Sequence, residues 1–574
     1  MRYHLLACDY DGTTATDGRI DAATADALRR LRDSGRKIVL VTGRMLPDLQ
    51  SVCPDLSLFD LVVAENGALL YSPSSREIHA LAEPPSATFI AALARQGVTG
   101  VAVGTVIVAT WHPHEATVLD TIRSLGLELQ VIFNKGAVMI LPTGVNKATG
   151  LNAGLERLGF SRHNAVGVGD AENDHALLAA CECGVAVANA LPALKERADL
   201  TTGNDHGAGV VELCGRLLAS DLSELAPRLA RHDLILGTDV ETDEEVRLPA
   251  YGSTFLVAGT SGGGKSTAIT GLVEHMFERQ YQHIIIDPEG DYSTYERAVV
   301  LGDTHRPPTV AEVIDVLHKP ESNVVVNLFG LPLDQRPQFF AELWPGLRDL
   351  RARFGRPHWI ILDEAHHLLP GSREDAPAEL ASDLKGVILV TVHPKHVMKP
   401  VLAAVDLAMA IGSTPAETLR EFAEGAGVAP PPLGEIGALP PGEALVWRRD
   451  ATGAPRRVRS IAPRTERQRH VRKYTEGDLG PEKSFYFRGP EARMNLRAQN
   501  LQVFLQLSDG VDVETWMHHL RAGDYSRWVR DSIKDEQLAS ELAEIEAAPG
   551  ESSDGRASRA AVKRAIEARY TASA

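Results

Sequence analysis

The sequence predicts two successive α/β domains followed by a mostly helical carboxyl-terminal module. Over residues 1–220, short β-branched runs alternate with helix-period sequence, which is the pattern of a parallel, doubly wound sheet. A second alternation of this kind begins at Phe255–Val257, and residues 499–545 have helical spacing. The 574 residues are too many for one hydrophobic core and indicate roughly three or four domains.

The first domain is expected to span residues 1–220 and to carry a small cap. Its sheet should include strands at Ile38–Val41, Leu61–Val63, Val166–Val168 and Val185–Val187. Residues 84–142 interrupt this alternation with a different order of predicted helices and strands. There the sequence predicts a helix at Ser86–Gln96, strands at Val101–Val103 and Val106–Thr110, a helix at Pro113–Leu125, and a strand pair at Leu129–Phe133 and Ala137–Leu141. The insert is therefore predicted to be an α/β cap.

The second domain is expected over residues 221–445. A helix and linker at 221–235 and an acidic turn at Asp239–Glu245 come first. The strands that follow should include Phe255–Val257, Ile284–Ile286, Val324–Leu328, Trp359–Leu362 and Val387–Val390. The Pro/Gly-rich stretch Gly425–Gly442 closes this domain or crosses its surface. Residues 446–545 then form a basic and helical module, and residues 546–574 are expected to be a flexible tail.

The composition narrows the class of protein. A net charge of -17 argues against coating by nucleic acid, although a local basic patch is compatible with it. The five cysteines form no CxxC pair, so we expect free thiols. The amino terminus lacks the apolar core of a signal peptide, and the longest uncharged run, residues 96–114, is broken by glycines and a proline. We therefore expect a cytoplasmic protein without a membrane span.

A pair of carboxylates near the amino terminus indicates phosphate chemistry. Asp9 and Asp11 follow the apolar strand start Leu5–Ala7 within the segment Cys8-Asp9-Tyr10-Asp11-Gly12-Thr13. At a strand's carboxyl end, one carboxylate can attack phosphorus with Mg²⁺ assistance while the other protonates the leaving oxygen. An acidic turn would have the same composition.

Three companion segments make the catalytic interpretation stronger. Thr42 follows the next strand and offers a hydroxyl for a phosphoryl oxygen, and Lys147, after the cap, offers a fixed cation. Asp170, Asn173 and Asp174 end another strand with further oxygen ligands.

These residues, in this order, resemble the haloacid dehalogenase superfamily of phosphatases over residues 1–220. Asn66-Gly67 after Glu65, together with the position of the cap, resembles the type-IIB, Cof-like subgroup. The resemblance implies that Asp9 is the nucleophile and Asp11 the general acid/base, and that Thr42 and Lys147 bind the phosphoryl group. It further implies that Asp170, Asp9 and the main chain of Asp11 hold Mg²⁺, with Asn173 and Asp174 in support. A degenerate, inactive scaffold is the alternative.

The substrate is not identified by the sequence. In such enzymes the cap contacts the leaving group, and the usual substrates are sugar phosphates or phosphorylated small acids. The polar or aromatic candidates in the cap are Trp111, His112, His114, Asn134 and Lys135, each of which could equally be a surface residue.

A second phosphate motif lies in the middle of the chain. Gly259-Thr260-Ser261-Gly262-Gly263-Gly264-Lys265-Ser266-Thr267 follows the strand Phe255–Ala258 and matches the Walker A loop. The backbone amides of Gly259, Gly262, Gly264 and Thr267 are expected near the phosphates of ATP, with Lys265 on the β/γ oxygens and Ser266 on Mg²⁺. Trp359–Leu362 ends in Asp363, which would hold the metal's water shell, and Glu364, which would activate water.

The motifs of this domain resemble the HerA/FtsK group of ring ATPases over residues 232–450. The resemblance rests on the Walker A loop, on Ile286–Tyr292, and on Asp363-Glu364-Ala365-His366-His367. The first four residues of the last segment also match the DEAH motif of a helicase class, but the other motifs of that class are not evident in the sequence. It implies a homo-hexamer whose sites are completed by a neighbour's arginine, with Arg351, Arg353 and Arg356 as candidates or as solvated charges. His393 stands where the group usually has a polar sensor, often Gln.

The carboxyl-terminal module has a local excess of basic residues. Between Arg448 and Arg497 there are 14 Lys/Arg against 6 Asp/Glu. The same stretch contains the aromatic run Phe485-Tyr486-Phe487-Arg488. Basic residues with aromatics suit nucleic acid, but ion pairing with the acidic remainder of the chain is an equal alternative. Trp516, His518, His519 and Trp528 are expected to be packing residues.

Three functions remain open at this point. The first is a Mg²⁺-dependent phosphatase fused to a ring ATPase that acts in nucleic-acid processing or defence, with DNA in the ring channel or on the basic module. The second is a sugar-phosphate-type metabolic phosphatase whose ATPase domain is a regulatory or assembly platform. The third is a kinase–phosphatase that repairs nucleic-acid ends, which the cap and Glu364 make less favoured.

Overall fold

The computed structural model of the chain describes residues 1–134, 136–372, 383–434, 436–450, 453–464, 474–475, 477, 479–533, 535–547 and 555–570. Three bodies follow one another along it: a capped α/β domain, a second α/β domain and a helical module. Among the described helices, none is long and apolar enough to cross a membrane. All five cysteines are buried and unbridged, as predicted.

The first domain is built on a largely parallel sheet. Its elements, with those of the cap, are β1 Leu5–Asp9, α1 Ala22–Asp33, β2 Lys37–Val41, α2 Leu46–Val52, β3 Leu61–Ala64, β4 Leu69–Ser72, β5 Glu77–Ala80, α3 Ala87–Arg95, β6 Ala102–Val103, β7 Val108–Trp111, α4 Glu115–Ser124, β8 Leu129–Asn134, β9 Ala137–Pro142, α5 Lys147–Leu158, β10 Ala165–Gly169, α6 Asp174–Ala180, β11 Cys183–Ala186, α7 Pro192–Arg197, β12 Leu200–Thr201 and α8 His206–Ser220. The strand order is β12-β11-β10-β1-β2-β3-β4-β5, and only β4 and β5 run antiparallel to their neighbours. The carboxyl ends of β1, β2 and β10 are therefore adjacent.

The cap is a small antiparallel sheet of order β6-β7-β9-β8 with two helices on one face. Phe89 and Leu93 of α3 and Val118 of α4 are buried against that face. On the other face, Ile107 and Met139 pack with Ala68 and Met45 of the main domain. The cap therefore lies closed on the main domain through an apolar contact.

The second domain contains a larger mixed sheet. Its elements are β13 Leu234–Asp239, β14 Glu245–Leu248, β15 Thr254–Gly259, α9 Lys265–Glu278, β16 His283–Asp287, β17 Val299–Leu301, α10 Val310–Leu317, β18 Val324–Asn327, α11 Arg336–Phe354, β19 Trp359–Leu362, α12 Ala365–Leu368, β20 Val387–Thr391, α13 Lys399–Ala403, β21 Leu407–Ile411, α14 Pro415–Ala426, β22 Glu443–Arg448 and β23 Arg456–Ser460. The order is β14-β13-β23-β22-β21-β15-β20-β19-β16-β18-β17. This sheet extends past the expected boundary at residue 445, because the antiparallel pair β22 and β23 lies within it, between β21 and β13.

The helical module has a core of its own. Its elements are α15 Gly480–Lys483, β24 Phe485–Phe487, β25 Leu496–Ala498, α16 Leu501–Gly510, α17 Val513–Ala522, α18 Asp524–Trp528, a π-helical turn Val529–Ile533, α19 Glu536–Ala547 and α20 Arg556–Tyr570. Trp516, Tyr525 and Phe504 are buried in that core. Helix α20 buries Val562 and Ile566 in the same core, so the expectation of a flexible tail over residues 546–574 is wrong for residues 556–570.

Candidate active sites

The first candidate site lies where β1 and β10 end. Lys147 Nζ donates to Asp9 Oδ1 at 2.5 Å and to Asp174 Oδ1 at 2.6 Å. Asp9, Asp170 and Asp174 each offer an oxygen within 4.8 Å of the others, and all three residues are buried. Asp174 Oδ2 also accepts the main-chain N–H groups of Asp170 and Ala171, which fixes the loop after β10. The structure thus brings together four of the residues that the sequence singled out.

Among the described residues of this cluster, the carboxylates outnumber the ammonium group. Three buried carboxylates face one buried ammonium, and burial together with the charge of Asp174 raises the pKa of Asp9 to about 7. Burial works to lower the pKa of Lys147, but the carboxylates of Asp174 and Asp9 outweigh it and raise that pKa. A divalent cation with a preference for oxygen would offset the excess negative charge. The donor set of Asp9, Asp170 and Asp174 therefore fits a divalent cation such as Mg²⁺.

Asp11, Thr42 and Asn173 surround the cluster. Arg44 holds both carboxylate oxygens of Asp11, through Nε at 2.7 Å and Nη2 at 2.8 Å. The buried hydroxyl of Thr42 accepts the main-chain N–H of Arg44, which orients the loop after β2. Asn173 donates to Asn66 Oδ1 at 3.2 Å, and its own buried Oδ1 has no hydrogen-bond partner among the described residues. The Arg44–Asp11 pair was not anticipated from the sequence.

Two glycines allow Lys147 to reach Asp9. Lys147 begins α5, whose N-cap residue Asn146 and third residue Thr149 form a reciprocal capping box. Gly67 has a φ of 103°, and a Cβ there would lie 1.9 Å from the main-chain oxygen of Asn146. A Cβ at Gly150 would lie 2.5 Å from Gly67 Cα. The start of α5 can therefore touch the loop after β3 only because both positions lack a side chain.

Glu65 attaches the cap to the main domain. Its buried carboxylate accepts the main-chain N–H groups of Thr105, Val106 and Ile107 at 2.8, 2.7 and 3.0 Å. A Cβ at Gly104 would lie 2.8 Å from Glu65 Oε1, so the hairpin needs glycine beside the carboxylate. The sequence drew attention to the Glu65-Asn66-Gly67 segment but gave no reason to expect this contact.

The predicted cap residues take positions away from the carboxylate cluster or on the surface. Trp111 is 60% exposed, His112 bonds Glu115, and His114 bonds the hydroxyl of Thr99. Lys135 and the side chain of Asn134 lie outside the described residues. Met139, which the sequence did not suggest, approaches the loop of Gly43: a Cβ on Gly43 would meet the Met139 methyl at 3.5 Å.

The second candidate site is the loop between β15 and α9. Gly259, Gly262 and Gly264 have positive φ angles, and a Cβ at Gly259 would lie 2.0 Å from the main-chain oxygen of Ile411. The buried Lys265 donates through Nζ to the main-chain oxygens of Gly259 and Thr260, at 3.0 and 3.1 Å. The turn is therefore held in a shape that directs main-chain amides toward one point at the start of α9.

Acidic side chains collect opposite this loop, at the ends of β16 and β19. Burial raises the pKa of Asp363 well above its ordinary value, and the nearby charges of Asp287, Asp291 and Glu364 add to the effect. Asp287 accepts the main-chain N–H groups of Glu289, Gly290 and Tyr292 and so shapes the loop after β16. Such a collection of carboxylates beside a phosphate-binding loop fits a divalent cation.

Histidines lie beside these acids, and His366 Nδ1 is 3.4 Å from Glu364 Oε2. His366 bonds the hydroxyl of Thr391 through Nδ1 at 3.0 Å, and the same hydroxyl accepts the main-chain N–H of His393. Burial, with the neighbouring His367, His393 and His396, lowers the pKa of His366 to about 4. The hydroxyl of Thr391 thus links the end of β20 to the start of α12.

A cavity of about 590 Å³ connects the loop and the acids. On the side of the second domain it is lined by Ser261, Lys265, Ser266, Thr267, Glu289, Asp291, Asn327, Phe329, Asp363 and Glu364 among others. The predicted phosphate-binding residues other than Gly259 therefore share one cavity with the two predicted acids.

All three arginine-finger candidates make contacts within the chain. Arg351 donates to the main-chain oxygens of Pro357, Lys385 and Gly386. Arg356 is fully buried and donates to the main-chain oxygen of Gly159 at 2.8 Å and of His318 at 2.6 Å. Arg353 is exposed and pairs with Asp349 one turn earlier. Of the three, only Arg353 presents its guanidinium at the surface.

The basic stretch pairs in part with acidic residues of the second domain. Arg457 contacts Glu443 at 2.5 Å and Arg464 contacts Glu278 at 2.6 Å. Phe485 and Phe487 are buried in the module's core, where other side chains of the module pack against them, so these two rings are not available to stack on bases. The basic residues Arg467, Arg469, Arg472 and Lys473 lie outside the described residues. The ion-pairing alternative therefore accounts for Arg457 and Arg464.

Comparison with known proteins gives two separate matches along the chain. The family model of haloacid dehalogenase-like hydrolases matches residues 6–101 and 114–213. The model described as the central domain of the helicase HerA matches residues 245–343. The first match spans the carboxylate cluster and the second spans the phosphate-binding loop.

The curated relatives are phosphatases that match about a third of this chain. Phosphoglycolate phosphatase of Natronomonas pharaonis is 31% identical over 220 residues, which are 37% of this chain and 96% of that protein. Phosphoglycolate phosphatase 2 of Saccharolobus solfataricus is 30% identical over 227 residues, covering 38% of this chain and 94% of that one. Among solved structures, a haloacid dehalogenase-like hydrolase from Bacteroides thetaiotaomicron is 20% identical and covers 38% of this chain and 99% of its own, with a TM-score of 0.33.

Proposed function

This chain belongs, through its first domain, to the haloacid dehalogenase-like hydrolases, and on that premise we propose that it is a Mg²⁺-dependent phosphatase joined to an ATPase. The observation that carries the phosphatase part is the Lys147 ammonium held between Asp9 and Asp174 beside Asp170. The ATPase part rests on Lys265, Asp363 and Glu364 lining one cavity.

In the proposed reaction, a carboxylate oxygen of Asp9 attacks the phosphorus of a phosphate monoester. The bond from phosphorus to the leaving alcohol breaks, and Asp11 donates a proton to the leaving oxygen. Water then attacks the acyl phosphate on Asp9, Asp11 takes a proton from that water, and inorganic phosphate and free Asp9 result. Lys147 and Thr42 hold the phosphoryl oxygens. Asp9, Asp170 and the main chain of Asp11, with Asn173 and Asp174 in support, would hold Mg²⁺, which would supply positive charge to the phosphoryl group.

This role requires Asp11 to exchange its partner. In the structure Arg44 bonds both oxygens of Asp11, whereas proton transfer needs one of them at the leaving oxygen. We propose that the substrate enters when the cap lifts and that Asp11 then turns from Arg44 toward it. The burial of Asp9, at 4% exposed under the closed cap, favours such an opening step.

The proposed substrate is a small phosphorylated molecule. Phosphoglycolate is the first compound to test, because the relatives that resemble this chain carry that name. The closed cap and its apolar inner face at Ile107 and Met139 leave the carboxylates little exposed, which favours a small leaving group over a polymer end. Sugar phosphates and oligonucleotides with a terminal phosphate are the comparison substrates.

The experiment uses two matched variants of the full chain. Asp9→Asn should abolish release of phosphate from the monoester while ATP hydrolysis continues. Lys265→Ala should abolish ATP hydrolysis while the monoesterase continues, and Asp26→Asn, an exposed residue paired with Arg29, should leave both unchanged. Loss of both activities in either variant would contradict two separate sites, and a preference for oligonucleotide ends would favour end repair.

We further propose that the ATPase works in a ring of identical chains, as the match to the HerA central domain suggests. Native mass measured with and without ATP tests this directly, and a monomer in both states would exclude the ring. If a neighbour completes the site, Arg353→Ala should lower ATP turnover, since Arg351 and Arg356 already bond main-chain oxygens. Stimulation of that turnover by added DNA would support nucleic-acid processing, and its absence would favour a regulatory platform.

A further inference from the structure

The helical module forms one wall of the nucleotide cavity of the same chain. Besides the residues of the second domain, the cavity of about 590 Å³ is lined by Tyr474, Gly477, Leu479, Lys483 and Ser532. These residues belong to the module rather than to the large sheet. The site of proposed ATP binding is therefore enclosed by two parts of the chain that are distant in sequence.

The lining segment is attached firmly to the module. Leu479 donates its main-chain N–H to Gln499 at 3.0 Å, and Asn500 donates from Nδ2 to the main-chain oxygen of Gly477 at 2.9 Å. Trp528 Nε1 donates to the main-chain oxygen of Lys483 at 2.9 Å. These hydrogen bonds thus fix the segment around Lys483 to the rest of the module.

Ser532 reaches the cavity from an unusual element. It lies in the π-helical turn Val529–Ile533, whose Val529 and Ile533 are buried in the module's core. Single π-helical turns within helices are rare and are found frequently at functional sites. The turn is consistent with a hydroxyl placed for a ligand.

Lys483 supplies the charge that a polyphosphate would need on this wall. Its side chain is about half exposed, and its Nζ lies 4.0 Å from Glu289 Oε2, in the loop after β16. Among the described lining residues, Lys265 and Lys483 are the cationic ones, and they come from opposite walls. The remaining charged side chains of the lining, which include Glu289, Asp291 and Asp363, are acidic.

We propose that the helical module is a cover for the nucleotide site in the same chain, and that Lys483 contacts the polyphosphate of bound ATP. This inference rests on the proposed ATPase function and deepens it. Lys483 exchanges its distant partner Glu289 for phosphate oxygens, and the hydroxyl of Ser532 bonds the nucleotide. Because both the second domain and the helical module contact the bound nucleotide, ATP binding and docking of the module stabilise each other.

The first test measures binding of a fluorescent ATP analogue to the full chain. Lys483→Met should weaken binding at least tenfold, whereas Lys483→Arg should retain most of the affinity. Arg493→Met is the matched control, because Arg493 lies in the same module, is exposed and pairs with Glu491 away from the cavity. Equal affinity of Lys483→Met and Arg493→Met would overturn the proposal.

The second test needs no substitution. In hydrogen exchange of the unmodified chain, a non-hydrolysable ATP analogue should slow exchange at residues 479–483 and 529–533 as well as in the phosphate-binding loop. Slowing confined to the loop would overturn the proposal while leaving ATP binding intact. If the unmodified chain and Lys265→Ala both fail to bind the analogue, the proposed ATPase function fails together with the inference.

Discussion

At the scale of single residues, the charge of the carboxylate cluster controls both chemistry and stability. Asp170 meets Asp9 and Asp174 within 4.8 Å, and Thr13 donates its hydroxyl to Asp170 Oδ1 at 3.0 Å. We expect Mg²⁺ at about a hundredfold excess over its Kd to stabilise the folded chain by about 2.7 kcal/mol. Asp170→Asn should lose most of this gain, as measured by thermal unfolding with and without Mg²⁺.

The control for this prediction is Asp120→Asn, an exposed cap residue that pairs with Arg123. It should keep the full Mg²⁺ effect. An undiminished effect in Asp170→Asn would show that the ion binds elsewhere.

A second prediction at this scale concerns the close approach at Gly150. The added methyl of Gly150→Ala would lie 2.5 Å from Gly67 Cα and 2.6 Å from Val63 Cγ1, so α5 must move and carry Lys147 away from Asp9. Overpacking of this kind costs about 1–3 kcal/mol. We expect that loss in denaturant unfolding, together with a clear fall in phosphatase turnover.

Gly215→Ala is the matched control, because Gly215 also lies inside a helix but has nothing within 4 Å of its added methyl. It should be neutral or stabilise the chain by about 0.5–1 kcal/mol. If Gly150→Ala behaved like Gly215→Ala, the tight approach would have no role in placing Lys147.

At the scale of elements, the contact between β6–β7 and Glu65 decides how firmly the cap stays closed. Glu65→Gln keeps the shape but replaces one carboxylate oxygen by an amide that cannot accept an N–H. Since hydrogen bonds to a charged group contribute about 1.5–3 kcal/mol each, exchange of the amides at residues 105–107 should accelerate at least tenfold. Hydrogen exchange measures this, and Glu77→Gln, an exposed residue paired with Arg157, should leave the rate unchanged.

The elements were predictable from the sequence where local pattern determines them, and unpredictable where distant contacts do. The strand Trp359–Leu362 and the cap strand pair follow from apolar runs with clear limits, and the structure has them at Trp359–Leu362, Leu129–Asn134 and Ala137–Pro142. The pairing of Asp9 with Asp170 was implied by the resemblance to haloacid dehalogenases, and it agrees with the adjacency of the parallel strands β1 and β10, whose carboxyl ends meet at one edge. Glu65 and Lys483 could not be assigned, because their contacts join segments from different domains or subdomains, and helix α20 was missed because its composition is that of a tail.

At the scale of the whole molecule, a buried junction holds the two α/β domains together. His163 bonds Glu182 Oε2 through Nδ1 and the main-chain oxygen of Arg279 through Nε2, both at 2.7 Å, and its ring stacks on Tyr281 at 3.8 Å. Arg356 crosses the same junction to Gly159. The domains therefore share polar contacts that neither could satisfy alone.

Removal of Arg356 should separate the unfolding of the two domains. Arg356→Met leaves the main-chain oxygens of Gly159 and His318 without this donor, and unsatisfied buried groups cost about 1–3 kcal/mol each. We expect calorimetry to show two resolved transitions in place of a more cooperative one. Arg353→Met, which removes an exposed neighbour on the same helix, should leave the thermogram unchanged, and a similar change in both variants would argue against a coupling role.

The junction should also weaken in mild acid, because His232 is held neutral there. Burial lowers the pKa of His232 to about 4. The charge of Glu182 works to raise this pKa, whereas Arg231 and His163 lower it further. The His232 imidazole takes up a proton near pH 6.5 in the unfolded chain but only near pH 4 in the folded chain. The contribution of neutral His232 to the free energy of unfolding is therefore complete above pH 6.5 and is lost as the pH falls toward 4. The loss from this one group is of the order of 3 kcal/mol at pH 4. The free energy of unfolding, measured with denaturant from pH 7 to 4, should therefore fall less steeply for His232→Gln than for the unmodified chain. His112→Gln, an exposed cap variant, should follow the unmodified chain. An equal fall in all three proteins would place the acid sensitivity in other groups.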